Sequence, residues 1–325
     1  NNSQYLEDFL MPALVTNKFR IHNAKQFVEA FDEVSYSSGG AVTDSSGLLN
    51  SNMYLFIGKP TAWSDDSTPP SPTDAVANTH YENWRDMIAA KKITASDVSH
   101  CIPRKNWTNN TSYFAYTHNA ATLTSQDFYV MTTDYNVYKC LSNSDTASGG
   151  SVATTSTVQP TGTGTSIIST ADGYKWKFMY SISASDVIKF VTSDFVPVKT
   201  IGAKAAVDGD VGGLGSAASD DNSAQWDVEN GATDGTIEHA RVTTGGSSYG
   251  SDGNYNVAIS GDGASGQLQV TVSSNAITAV TVNAVGSGYS VASIDNTLLQ
   301  TATSSSGTGA VFDIIISPKN GHGAD

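Results

Sequence analysis

Residues 172–180 read DGYKWKFMY, a turn that leads directly into a strand pattern. Asp-Gly is a common turn pair, because glycine accepts backbone angles that other residues avoid. From Tyr174 onward aromatic and basic residues alternate, and a period of two residues is typical of a β-strand. The stretch therefore predicts a strand over residues 174–180.

Further strand patterns lie upstream of this stretch. From Phe128 onward, β-prone residues such as Tyr129 and Val137 are separated by polar ones, and residues 53–57 form a short apolar run. Residues 142–166 are rich in Ser, Thr and Gly, a composition that predicts an exposed loop.

Helical patterns are fewer. Residues 5–31 place apolar side chains about three and four residues apart, as one face of a helix requires. A second helix is predicted from a cap at Thr73 or Asp74 through residues 80–90. Its apolar stripe and its cationic end are expected at five positions: Trp84, Met87, Ile88, Lys91 and Lys92.

An internal repeat covers residues 237–316. Its first copy runs from Ile237 into a Gly-Ser-Ser-Tyr turn that ends at Tyr249, and its second copy runs from Ile277 into a Gly-Ser-Gly-Tyr turn that ends at Tyr289. Each copy continues through a Gly-rich turn into an apolar strand. Because two copies can pair their strands and share one apolar core, the repeat predicts a small β module.

These patterns predict a mainly β (α+β) protein, with a β-sandwich-type core and a few short helices. We expect a core domain over residues 1–200, a Gly/Ala/Asp-rich linker over 201–236, the all-β repeat module over 237–316 and a tail over 317–325. The chain starts without Met and stops without a closing element, so we expect its natural ends to lie further out.

Composition and charge restrict the function. Charged residues make up 15% of the 325 residues, below the ~25% of ordinary globular chains, and the net charge is −14. Phosphate binding needs clustered Lys and Arg, so nucleic acid is disfavoured as a partner, although Lys175 and Lys177 beside Trp176 resemble a stacking platform. The chain contains no run of 18 apolar residues, so no membrane partner is expected.

Catalytic signatures are missing from the sequence. It contains no GxSxG elbow, no phosphate-binding GxxxxGK[ST] loop and no HExxH zinc motif, so we expect no enzyme, no cofactor and no small-molecule substrate. Asp252 and Asp262 each precede a glycine in the repeat. They could bind calcium, but turn chemistry is the favoured interpretation, and no metal site is predicted.

Six rare-residue motifs follow one another along the first 200 residues. They are VTNKFR at 15–20, IGKPTAW at 57–63, PPSPTD at 69–74, WRDM at 84–87, IPRKNW at 102–107 and DGYKW at 172–176. In this order they resemble the dimeric baseplate wedge subunit of T-even-like contractile-tailed bacteriophages. The resemblance covers roughly residues 10–200, whereas the repeat module is similar to small β modules of phage virion proteins.

The resemblance implies a structural virion protein that is made in the host cytoplasm and acts in the tail baseplate. Its expected partners are a second copy of itself, as a homodimer, and other baseplate wedge proteins. The residues that it marks as structural or interface positions are Lys18, Phe19, Arg20, Gly58, Pro60, Trp63, Pro69, Pro70, Pro72, Trp84, Pro103, Arg104, Trp107, Gly173 and Trp176.

The proline-rich stretch around Trp63 suggests a stiff strap. Proline already restricts the backbone, so fixing such a segment costs little entropy, and Trp63 adds a large apolar contact. The strap could cross the core or lie at an interface, and the core is the favoured reading.

Two other classes of function remain open. The first is a carbohydrate- or receptor-binding virion protein, in which Tyr249 and Tyr289 stack on sugar rings, although the same tyrosines more simply fill a β core. The second is a cell-wall hydrolase.

Overall fold

The computed structural model describes residues 16–31, 36–37, 40–41, 53–58, 64–65, 67–68, 76–117, 125–143, 154–198, 228 and 233–317. The chain forms two compact units, Asn1–Cys101 and Ile102–Asp325. The prediction of a mainly β chain with a few short helices is confirmed. Of the predicted linker, only Val228 and residues 233–236 are described, and the predicted domain boundaries stay predictions.

The first unit begins with helix α1 (Asn17–Glu29), whose N-terminus is capped by Thr16. The Thr16 hydroxyl accepts a hydrogen bond from the amide of Phe19 at 3.2 Å, which satisfies a donor that has no partner within the helix. The helix predicted over residues 5–31 is confirmed for this part, and residues 5–15 lie outside the described residues. Two very short strands, β1 (Tyr36–Ser37) and β2 (Gly40–Ala41), pair antiparallel after it.

A strand, a helix and a second strand complete the described part of this unit. They are β3 (Tyr54–Gly58), α2 (Val76–Asp86) and β4 (Met87–Lys92). The two strands pair antiparallel from Tyr54 opposite Lys92 to Gly58 opposite Met87. A short 3-10 helix, Ala95–Asp97, follows β4 and is closed by a capping box at Thr94.

The predicted course of the second helix is wrong at its end. The sequence favours a helix through residue 90, but α2 stops at Asp86, and the residues from Met87 to Lys92 form β4. The apolar strand β3 provides the physical reason, because its backbone groups need a partner and β4 supplies one. Lys91 and Lys92 therefore lie at the end of a strand, and only Trp84 of the predicted stripe is helical.

The second unit is built on a four-stranded antiparallel sheet. Its strands are β6 (Tyr129–Met131), β7 (Asn136–Asn143), β8 (Ile168–Ser169) and β9 (Tyr174–Ser181), in the order β6-β7-β9-β8. Helix α3 (Ala184–Phe190) follows β9. A separate pair joins β10 (Phe195–Val198) to β5 (His100–Pro103).

The strand predicted from YKWKFMY is confirmed as β9, and it lies inside this sheet. Tyr174, Trp176 and Phe178 are fully buried, and Tyr174 stacks on Trp176 with ring centroids 5.4 Å apart. The turn before β9 depends on Gly173, whose φ of 87° is in the left-handed region that favours glycine. Because the aromatic rings are buried, they leave no surface on which bases could stack.

The repeat occupies eight elements. In chain order they are β11 (Ile237–Ser247), β12 (Gly253–Ala258), β13 (Ser260–Gly261), β14 (Ala264–Ser273), β15 (Ala276–Ser287), β16 (Ala292–Ser293), α4 (Asn296–Thr303) and β17 (Thr308–Ile316). Strand β11 pairs with β17, β13 with β16, and β14 lies between β12 and β15. The first strand of each repeat copy therefore pairs with the last strand of the other copy: β11 with β17, and β15 with β14.

The two repeat tyrosines interlock the copies. The hydroxyl of Tyr249, in the first copy, accepts a hydrogen bond from the amide of Ala310 in the second at 3.2 Å. The hydroxyl of Tyr289, in the second copy, accepts one from the amide of Gly266 in the first at 3.0 Å. Both rings are buried in one apolar core to which the two copies contribute. Neither copy could build this core by itself.

The module packs directly on the four-stranded sheet. The ammonium of Lys177 in β9 lies 3.1 Å from the carboxylate of Glu238 in β11, and both side chains are largely buried. Ile315 of β17 joins a buried apolar cluster with Tyr116 and Leu141. The interface between sheet and module thus combines an apolar cluster with a buried ion pair.

The prediction of an exposed loop over residues 142–166 is wrong for part of its length. Residues 144–153 lie outside the described residues, but Ser156 is fully buried and pairs with Thr111 in an isolated antiparallel bridge. The prediction fails at residues 142–143, which belong to β7, and at Ser156, whose hydroxyl bonds to Trp107 and Asp172. Most of the described residues between 154 and 166 are exposed, as predicted.

Candidate assembly interface

Strand β3 carries four large apolar side chains in a row, and all of them are exposed. They are Tyr54, Leu55, Phe56 and Ile57, and Tyr54 and Ile57 each keep 60% of their surface accessible. Because side chains alternate along a strand, the exposed residues lie on both faces of the two-stranded ribbon. A solvated strand usually has one polar face, so this pattern is typical of a strand that is covered on both sides in an assembly.

Helix α2 and strand β4 extend this apolar surface. Trp84 is 75% exposed, and Tyr81 and Ile88 are exposed as well. A groove of about 620 Å³ lies between the three elements and is lined by Tyr54, Phe56, His80, Asn83, Trp84, Met87 and Ala90. We call the exposed side chains of β3, α2 and β4 the hairpin face.

The hairpin face has its charges at the margin. Arg85 pairs with Asp86 at 2.8 Å, and Lys91 pairs with Asp97 at 2.6 Å. The hydrogen bond from Lys91, together with those from Thr94, lowers the pKa of Asp97 to about 2, so this carboxylate stays ionised at neutral pH. Strand β3 itself carries no charge. Burying the side chains of β3 therefore removes no charge from water.

Helix α1 adds exposed aromatic residues to the first unit. Phe19 and Phe27 are exposed, whereas Phe31 is buried and contacts Phe27 edge-on with ring centroids 5.3 Å apart. Arg20 is exposed beside Phe19, and Lys18 lies in the helix. Three predicted residues of the VTNKFR motif are thus helical, and two of them present their side chains to solvent.

Gly58 ends β3 at a point of close backbone approach. A Cβ atom there would lie 2.7 Å from the carbonyl oxygen of Asp86, where α2 passes into β4. The predicted importance of Gly58 therefore has a structural basis inside the first unit. Five predicted strap residues lie outside the described residues: Pro60, Trp63, Pro69, Pro70 and Pro72.

The IPRKNW motif is bound inside the second unit. Arg104 donates from Nη1 to the carbonyl of Thr192 at 2.8 Å and from Nε to the side chain of Asn106 at 2.9 Å. Pro103 accepts a hydrogen bond from the hydroxyl of Tyr129 at 2.6 Å. Trp107 donates from Nε1 to the hydroxyl of Ser156 at 3.0 Å. The motif thus ties the edge of the sheet to neighbouring loops.

Asp172 organises the DGYKW turn, a role that the sequence assigned only to turn formation. One carboxylate oxygen accepts the amides of Thr157 and Val158 at 2.7 and 2.9 Å, and the other accepts the hydroxyl of Thr170. Partial burial opposes ionisation of Asp172, but these hydrogen bonds outweigh it and lower its pKa. The turn before β9 is thereby joined to the chain segment after residue 154.

The predicted positions therefore divide into two groups. Phe19, Arg20 and Trp84 of the first unit are exposed, whereas Trp107, Trp176 and Gly173 of the second unit act within its own structure. The side chains of β3 were not among the interface residues predicted from the sequence. The available signal was the run YLFI, which lacks the polar alternation of a strand with one solvated face.

The repeat tyrosines are not available as a sugar platform. Tyr249 and Tyr289 are both buried, and their rings lie against glycines of the opposite copy, Gly307 and Gly263. The aspartates of the repeat accept hydrogen bonds from backbone amides more than 20 residues away in the chain. Asp262 accepts the amides of Ser290 and Val291, both at 2.9 Å. These contacts give the repeated Asp-Gly and Gly-Tyr patterns a role in tertiary packing between the two repeat copies.

Within the described part of the chain, no group of three or more His, Cys, Asp or Glu side chains is placed to hold a metal ion. Among these same residues, the helices are all too short or too polar to cross a membrane. Protein-family models give no match to the chain, and curated protein sequences give no significant one. The fold and the site therefore define a mainly β protein whose first unit has a broad exposed apolar face.

Proposed function

We propose that this chain is a structural subunit of a phage tail baseplate wedge, which acts by pairing with itself and by docking to other wedge proteins. The observation that carries the proposal is the hairpin face, where large apolar side chains of three elements are exposed together. Permanent assemblies bury such surfaces, and monomeric proteins rarely leave them open to water.

The sequence motifs are the reason for proposing the baseplate wedge as the assembly. The six motifs between residues 15 and 176 resemble, in this order, motifs of the dimeric baseplate wedge subunit of contractile-tailed phages. The net charge of −14 makes free copies repel one another, so apolar contact has to drive their association. On this proposal the protein resides in the virion and catalyses no reaction.

The rival function, carbohydrate or receptor binding through the repeat tyrosines, has no specific support. Stacking on a sugar requires an exposed ring face, and both tyrosine rings are buried. We expect no clearing when the purified chain is tested on a peptidoglycan gel, and a clear zone would favour the hydrolase alternative.

Sedimentation equilibrium tests the self-association. At about 10 μM, we expect a species with twice the chain mass of 34.0 kDa. A monomer at this concentration would contradict the proposal. Electron microscopy of virions that carry a tagged copy tests the location: label at the baseplate supports the assignment, and label elsewhere on the particle overturns it.

A further inference from the structure

Strand β3 pairs with another described strand along one of its two hydrogen-bonding edges. Among the described residues it pairs with β4, and its other edge meets no described strand. A two-stranded ribbon is marginally stable in water, and an exposed apolar edge is a template for pairing with another chain. Soluble proteins usually protect such an edge with charges or proline, but residues 54–58 contain neither.

We propose that a second copy of this chain pairs with the β3 edge, antiparallel and with the two-fold axis at Phe56. The proposal rests on the self-association inferred above and adds the surface and the register. A four-stranded sheet results, in which the two β3 strands lie at the centre and the two β4 strands at the outside. Phe56 then lies opposite its own copy, Leu55 opposite Ile57 of the second copy, and Tyr54 opposite Gly58.

The strand is self-complementary in this register. The large Tyr54 faces the smallest residue, Gly58, and the similar side chains of Leu55 and Ile57 face each other twice. A symmetric interface needs this property, because each residue meets the same patch on the other copy. Cross-strand apolar pairs of this kind stabilise a sheet.

Charge does not oppose the pairing, although the chain as a whole is acidic. The cations nearest to the edge are Lys91 and Lys92, on β4, opposite Leu55 and Tyr54. In the proposed sheet the two copies of Lys92 lie at diagonal corners, about 20 Å apart given ordinary strand spacings. That separation exceeds the Debye length of ~8 Å at physiological salt, so their repulsion is screened.

The exposed apolar area of the hairpin face approaches the area that a stable pair buries. Four β3 side chains together with Tyr81, Trp84 and Ile88 are about half exposed or more. Aromatic side chains bury ~150–250 Å² each, so the seven offer on the order of 700 Å² per copy. Stable interfaces bury about 800 Å² per partner, which a second copy seated on β3 and α2 can nearly reach.

Cysteine cross-linking of the full chain tests the register. Both native cysteines are free, and Cys101 is exposed whereas Cys140 is buried, so Cys101→Ser provides a suitable background. In this background Phe56→Cys should give a covalent dimer under mild oxidation, because directly opposite residues have Cα atoms ~4.5–5.5 Å apart, within disulfide range. Ala90→Cys is the matched control: Ala90 pairs with Phe56 on β4 and is exposed, but its two copies would be about 14 Å apart.

A mixing experiment provides a second test that keeps Phe56. Leu55→Cys and Ile57→Cys chains should cross-link when mixed and should not cross-link separately, because residues of the same number lie diagonally, about 8 Å apart. If the Cys101→Ser chain sediments as a dimer but neither test gives the expected cross-linked band, the proposed pairing through β3 is wrong. The proposed self-association would still be supported. If that chain is monomeric, self-association and this inference both fail. Equal cross-linking through Ala90→Cys would also overturn the register.

Discussion

At the residue scale, Gly58 shows how one position limits a whole hairpin. An added Cβ would meet the Asp86 carbonyl oxygen at 2.7 Å and the Met87 Cα at 3.3 Å, and both are backbone atoms that cannot rotate away. We expect Gly58→Ala to displace β3 from the start of β4 and to destabilise the pair by about 1–3 kcal/mol. Hydrogen exchange measured by mass spectrometry should then be faster in residues 53–58.

A matched glycine provides the control for this substitution. A Cβ added at Gly164 has no heavy atom within 4 Å, so Gly164→Ala should leave exchange in β3 unchanged and stability within about 0.5 kcal/mol. Unchanged protection of β3 in Gly58→Ala would show that the close approach does not constrain the hairpin.

His239 gives the second prediction at this scale, because it is a buried titratable group without a partner on one nitrogen. Its side chain lies in β11, is only 5% exposed, and its Nε2 has no hydrogen bond. Burial, together with the nearby cations of Lys175 and Arg241 and against the opposing effect of Glu238, lowers its pKa to about 3. The folded protein therefore keeps this imidazole neutral.

The pH dependence of stability follows from that shift. Below pH ~6.5 His239 is protonated in the unfolded chain but stays neutral in the folded chain. The free energy of unfolding therefore falls as the pH decreases towards 3. We expect a loss of about 1.4 kcal/mol per pH unit between pH 6 and 4.5 from this group. The free energy of unfolding, measured with urea at several pH values in this range, should depend less on pH in His239→Gln, because glutamine cannot take up the proton. An identical slope in both proteins would contradict the assignment.

At the element scale, a contact between β9 and β11 attaches the repeat module to the four-stranded sheet. Lys177 donates to the carbonyl of Thr165 at 2.6 Å and to Glu238 at 3.1 Å, and Glu238 also accepts the hydroxyl of Ser317 at 3.2 Å. Removing one partner of a buried pair leaves the other charge uncompensated. We expect Glu238→Gln to cost about 3–5 kcal/mol in unfolding free energy.

A double-mutant cycle checks the origin of that cost. Lys177→Met combined with Glu238→Leu removes both charges, and we expect the double variant to recover most of the stability that the single variants lose. Urea unfolding of the four proteins measures the coupling. Additive losses would mean that the two side chains act independently of each other.

Element boundaries also show where local pattern fails. Residues 87–90, Met-Ile-Ala-Ala, are compatible with the preceding helix, yet they form β4 because they satisfy the backbone of β3. Helix propensity differs between residues by less than about 1 kcal/mol, so a tertiary partner easily overrides it.

At the scale of the whole molecule, net charge opposes assembly and apolar area favours it. Two copies with a charge of −14 each repel one another, while β3 is uncharged. Raising salt from about 20 to 300 mM screens the repulsion and leaves apolar contact in place. We expect self-association to become several-fold tighter, as measured by sedimentation equilibrium. Weaker association at high salt would show that ion pairs, and not the apolar face, hold the copies together.

The sequence by itself determined the local elements of this protein. Alternation in YKWKFMY predicted β9, apolar spacing predicted α1, and repeated Gly-Ser-Tyr turns predicted a two-copy β module. Such patterns succeed because backbone preferences and side-chain periods act over a few residues. Only the tertiary structure decided that α2 ends at Asp86 and that Trp176 is buried while Trp84 is exposed. It also decided that Tyr249 packs on the other copy of the repeat within the chain. These outcomes depend on strand partners and packing between residues distant in the chain, which no local pattern records.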